Sequence, residues 1–180
     1  SYKDAVTPVI YVNCRKENKQ TTNEIDKLSV ADSSEIAGCN LVITDAEGNE
    51  IISWTSGDKD SVKVSVTEKD GYCNLKYSFD EKGNLHVGGL LHDKDYTLTE
   101  TRPADGYVTA DAIVYQIRQK KAEDGSVSSV VSIKQEDGTY VDQADDKTVM
   151  VDEQTHIQLL KLDKKSGQAL GGAKFVVTDS

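Results

Sequence analysis

Polar and apolar residues alternate in short runs along most of this chain of 180 residues. The clearest run begins at Tyr96. Tyr96, Leu98 and Glu100 fall on one face of an extended strand, and Thr97, Thr99 and Thr101 fall on the other. Pro103 and Gly106 then end it. Similar runs occupy residues 9–13, 23–30, 50–55, 112–119, 126–134 and 148–152, separated by turn signals such as DAEGN at 45–49 and DEKGN at 80–84. The turn at 45–49 joins its neighbours into a hairpin, and residues 61–79 read as an inserted hairpin turning at Lys69 to Gly71. No long stretch has the helical period. The pattern predicts an all-β domain, a two-layer antiparallel β-sandwich.

Three positions break the pattern in the same way. Glu100 follows Tyr96 and Leu98 onto an apolar face, Lys27 follows Ile25, and Asp152 follows Met150. Each places a charge in line with core residues. A carboxylate at a strand end can sit in water. One turned inward must shift its pKa or find a partner. An amine and two carboxyls on an early, a middle and a late strand can satisfy one another if the fold brings them together.

Composition narrows the choice of function. A net charge of −10 argues against nucleic acid as a partner, since phosphate binding needs a basic face. Aromatic content of 6% suits a small β-domain better than one thick core. No run is long enough to cross a membrane as a helix. His86, His92 and His156 match no metal spacing, no serine sits in a nucleophile elbow, and neither Gly88-Gly89 nor Gly171-Gly172 belongs to a phosphate loop. The aspartates are not spaced as a calcium loop. An enzyme, a cofactor and a metal are therefore not expected. Cys14, Cys39 and Cys73 form neither a disulfide framework nor a zinc pattern; Cys39 lines up with Leu41 and Ile43 as a small core residue, and nothing in the pattern brings Cys14 to Cys73.

An internal repeat sets the organisation. Residues 27–45 and 161–179 align without a gap: Lys27 matches Lys161, Leu28 Leu162, Gly38 Gly172, Leu41 Phe175 and Asp45 Asp179. The chain thus reads as a piece of a longer tandem array. Residues 1–20 are a trailing strand of a preceding domain plus linker, 21–154 a complete domain, and 155–180 the first strands of a following, truncated one. In the first part, Asn13 of VIYVN falls where Asp152 falls in VMVD. It is either an acceptor for a lysine elsewhere or an ordinary polar strand end. The short linker between Asp152 and Lys161 would make the array stiff.

On these residues the chain resembles the SpaA-type, or Cna B-type, isopeptide-forming domains of Gram-positive pilins and surface adhesins. YTLTETRPADGY (96–107) is similar to that family's strand bearing a catalytic Glu, and TVMVD (148–152) to its last strand. The Lys27 strand with EIAGCNLVITDAEGNEIISWTS (35–56) looks close to the domain behind the SpyTag and SpyCatcher pair. The resemblance implies a prealbumin-like, Ig-like sandwich on a cell wall-anchored, extracellular protein. It implies that Lys27 is the amine nucleophile, Asp152 the acceptor and Glu100 the proton shuttle of a self-made Lys–Asp isopeptide bond. By the same resemblance Asn13 and Lys161 are candidates for cross-links of neighbouring domains. The family more often has Asn as acceptor; with Asp the reaction releases water instead of ammonia. The implied role is a stalk or spacer module, not an enzyme, whose partners are neighbouring repeats. The alternative is an adhesin domain that binds a host protein or glycan through residues 61–79.

Overall fold

The computed structural model describes residues 21–178. Eleven strands form within them: β1 Thr22–Ser29, β2 Asn40–Asp45, β3 Glu50–Thr55, β4 Asp58–Val64, β5 Lys76–Phe79, β6 Leu85–Gly88, β7 Tyr96–Arg102, β8 Ile113–Lys121, β9 Val127–Lys134, β10 Tyr140–Asp142 and β11 Lys147–Asp152. They make two sheets. One has four strands in the order β11-β1-β6-β5, and the other has seven in the order β10-β9-β8-β7-β2-β3-β4. The first and last strands, β1 and β11, lie side by side and parallel, with Lys27 opposite Met150 and Ser29 opposite Asp152.

The core is the space between the sheets. Ile25, Leu85, Val87 and Met150 face it from the smaller sheet, and Leu41, Ile43, Leu98, Tyr115, Ile117 and Val131 from the larger. Alternation is obeyed closely in β7, where Tyr96, Leu98 and Glu100 are buried and the threonines between them are not. It is broken in β3. Ile43 pairs with Ile52 and Thr44 with Glu50, so Ile51 is an extra residue at a bulge, and two consecutive isoleucines are both buried.

The stretch 61–79 is not a hairpin. β4 pairs with β3 in the larger sheet, and β5 pairs with β6 in the smaller. The chain crosses the sandwich edge between them through a short 3-10 turn (Glu68–Asp70) capped by Thr67, with Gly71 in the left-handed region at φ 92°. Val66, Tyr72 and Leu75 pack against the core from this crossing. Their burial fixes the two strands in different layers, which alternation alone does not reveal. Among the three cysteines, Cys39 is a free buried thiol. Cys73 is disulfide-bonded, against the expectation drawn from its scattered spacing. Asn13 and Cys14 lie outside the described residues.

Residues 153–178 carry no strand, but the internal repeat persists in their backbone. In the β1–β2 connection Ile36 N–H donates to Lys27 O, Ser29 N–H to Ser34 O, and Ser33 N–H to Ser29 O. In the second copy Leu170 N–H donates to Lys161 O, Asp163 N–H to Gln168 O, and Gly167 N–H to Asp163 O. These are the same three bonds at aligned positions. Ile157, Leu160, Phe175 and Val176 nearby are exposed. The repeat also exposes a strained residue. Ser33 has φ 57°, and Gly167, at the matching position, has φ 67°. Left-handed backbone costs a residue with a side chain about 1–2 kcal/mol, partly offset by the extra freedom glycine loses on folding. Ser33→Gly is expected to stabilise the domain by about 0.5–1 kcal/mol, read as a rise in melting temperature.

Candidate functional site

Lys27, Glu100 and Asp152 meet inside the sandwich. Lys27 is 3%, Glu100 3% and Asp152 1% exposed. Lys27 and Asp152 come from adjacent strands of the smaller sheet, and Glu100 reaches across from β7 in the larger. The Lys27 Nζ is 3.2 Å from Glu100 Oε1. It donates a direct, close hydrogen bond to Asp152 Oδ1. Lys27 and Asp152 are 125 residues apart in sequence. The strands deliver them to one point because β11 lies beside β1, and because the lysine stem is long enough to reach from its opposite, Met150, to the residue two further on.

Each carboxylate is also held from its far side. Glu100 Oε2 accepts the Ala110 N–H at 2.8 Å. The Cys39 thiol lies 3.8 Å from Asp152 Oδ2, within reach of an S–H donor. Burial pushes the Asp152 carboxyl above its ordinary value; Lys27 opposes this and the charge of Glu100 adds to it. Two carboxylates facing one ammonium in a dry site favour keeping one proton among them.

Sequence reasoning missed two contributors. Cys39 looked like packing alone, yet its sulfur touches the Asp152 carboxylate. Ala110 contributes only backbone, which side-chain pattern cannot show. Burial, together with Glu100 beside it, pushes the Cys39 thiol up to about 11, so it stays protonated at neutral pH. Cys39 is fully buried. It is expected to resist thiol reagents at pH 8 in the folded protein and to react only after denaturation, as peptide mapping of the labelled protein would show. Lys161 is exposed on the C-terminal segment and does not join the site.

An all-β, two-sheet sandwich is the architecture of a prealbumin-like fold. The chain belongs to the family of SpaA prealbumin-like fold domains, whose model matches residues 21–133. Lys27 and Glu100 fall inside that match, and Asp152 lies beyond it. Similar solved structures include BcpA, the major pilin subunit of Bacillus cereus, at 16% identity and TM-score 0.40, covering 73% of this chain and 28% of that one. The shaft pilin SpaA of Lactobacillus rhamnosus GG is similar at 16% identity and TM-score 0.42, covering 77% and 47%. The Bacillus anthracis TIE protein is similar at 18% identity and TM-score 0.40, covering 74% and 17%. The chain thus spans less than half the length of each. No curated protein matches it.

Proposed function

We propose that this chain is a structural stalk module of a Gram-positive surface pilin or adhesin, stabilised by an isopeptide bond that Lys27 and Asp152 form without an enzyme. The observation that carries the reading is the buried contact of the Lys27 amine with the Asp152 carboxylate, with Glu100 at 3.2 Å from the same nitrogen. Such contact removes most of the entropic cost of bringing reactants together, worth roughly 7–11 kcal/mol in well-oriented systems.

The chemistry follows from the proton count. Lysine attacks only as the neutral amine. Glu100 takes a proton from the Lys27 ammonium, and Asp152, whose proton affinity burial raises, is the protonated electrophile. Lys27 Nζ bonds to the Asp152 side-chain carbonyl carbon. The tetrahedral carbon then expels its hydroxyl as water, which takes up the one surplus proton left on the nitrogen. Glu100 relays this proton and ends protonated. One C–N bond forms, one C–O bond breaks, and one water leaves.

The position of the bond suits a load-bearing module. β1 and β11 are parallel, so tension entering at the start of β1 and leaving at the end of β11 shears the pair lengthwise. An amide between Lys27 and Asp152 carries that load covalently, and the residues between them stay slack. In our reading residues 155–180 open a following module of the same kind, as the repeated backbone bonds of the β1–β2 connection suggest, and residues 1–20 close a preceding one.

Single-molecule stretching tests the role. The wild-type domain is expected to release none of the chain between the two cross-linked positions, which are 125 residues apart. With the Cys73 disulfide reduced, Glu100→Gln is expected to release it, roughly 40 nm of chain. A wild-type domain that extends by that length overturns the proposal.

A further inference from the structure

The outer face of the smaller sheet carries a second cluster of ionisable side chains. Glu24 of β1 and His86 of β6 are cross-strand partners. Asp80 directly follows β5, the next strand over. His86 Nε2 is 3.7 Å from Asp80 Oδ2 and 4.0 Å from Glu24 Oε2. All three atoms lie within 4.8 Å of one another.

The carboxylates are oriented by their own partners. Glu24 Oε1 accepts from Lys147 Nζ at 2.7 Å. Asp80 Oδ1 accepts the N–H groups of Lys82 and Asn84, each at 2.9 Å. Asp80 Oδ2 also accepts from Asn84 Nδ2 at 3.2 Å. The oxygens facing His86 are thus set by hydrogen bonds to their sister atoms and neighbours, the arrangement that outer partners impose on metal ligands.

The same face of β1 carries further negative charge. Asp26 lies on the same face of β1 as Glu24 and is only 8% exposed, and its Oδ1 has no hydrogen-bond partner among the described residues. Its Oδ2 is 3.7 Å from Lys147 Nζ, the same amine that Glu24 uses. Glu35 joins the group through Asn84 Nδ2 at 3.2 Å. Lys147 therefore answers both Glu24 and Asp26, and a buried carboxylate oxygen without a partner is costly.

We infer that Glu24, Asp80 and His86 bind a divalent transition metal ion of the zinc class, with Asp26 adding negative charge beside Glu24. One imidazole nitrogen with carboxylate oxygens is a donor set that suits zinc, and water can complete a tetrahedron. Bonds of about 2.0–2.1 Å place tetrahedral ligands about 3.4 Å apart, so the ligand atoms, now within 4.8 Å of one another, need to draw in on binding. The ion ties β1 and β6 to the end of β5, the free edge of the smaller sheet. The spacing of Glu24, Asp80 and His86 along the chain gives no hint of this, because the strands alone make them neighbours. The site is independent of the Lys27–Asp152 chemistry.

Protein stripped with EDTA, dialysed and titrated with zinc chloride by calorimetry tests the site. One saturable equivalent is expected, with a higher melting temperature at saturation. His86→Ala and Glu24→Gln should each weaken binding at least tenfold while circular dichroism confirms the fold. His92→Ala and His156→Ala should bind as the wild type does. Absence of saturable binding, or undiminished affinity in His86→Ala, overturns the inference; the second result would place the zinc elsewhere, such as at the His92–Asp93 pair.

Discussion

Intact mass spectrometry of the purified, reduced and denatured protein is expected to show a chain one water lighter than its sequence. Glu100→Gln should restore the full mass, because the proton acceptor 3.2 Å from the Lys27 nitrogen is gone while Lys27 and Asp152 remain. Asp152→Ala should do the same by removing the electrophile. The effect is all-or-none per molecule, so partial folding cannot imitate it. Proteolysis should then yield one branched peptide containing both residue 27 and residue 152. A wild-type protein at full mass would mean that contact between these groups is not enough for reaction.

Stability separates the bond from the charges that make it. Glu100→Gln lacks the cross-link but keeps the Lys27–Asp152 ion pair. Its loss relative to wild type therefore reports loop closure over 125 residues, about 4–5 kcal/mol by analogy with a disulfide of that span. Domains of this kind have about 5–15 kcal/mol in total, so the fall in melting temperature should be large. Lys27→Ala should melt lower still. It leaves Glu100 and Asp152 buried without their cation, a further penalty of about 3–5 kcal/mol before protonation of Asp152 relieves part of it. Equal melting temperatures for wild type and Glu100→Gln, with the mass difference present, would show that closing the loop does not stabilise the fold.

Much of the architecture could be read from alternation. Period-two pattern assigns a face to each side chain, which is why Tyr96, Leu98 and Glu100 were recognisable as one inward row and why Lys27 and Asp152 stood out as charges among core residues. Pattern does not say which strand lies beside which. Residues 61–79 therefore read as one hairpin, although β4 and β5 join different sheets, and the short β10 falls between the runs at 126–134 and 148–152 that alternation marks. The same gap hid the Glu24–Asp80–His86 cluster, which exists only because β1, β6 and β5 are neighbours. Contacts made by backbone were beyond reach as well: nothing in the side chains announces that the Ala110 N–H holds Glu100.

The turn after Glu100 has a second attachment. Val108 N–H donates to Glu153 O, and Thr155 N–H and its hydroxyl both reach Gly106 O. The outgoing chain is thus moored to the loop that also supplies Ala110 to Glu100. A tug on the tail before the amide closes would peel this mooring and drag the proton acceptor off its mark. If the proposed amide forms, curing must therefore come before service: the module sets while unloaded, and only then can it be strung under strain.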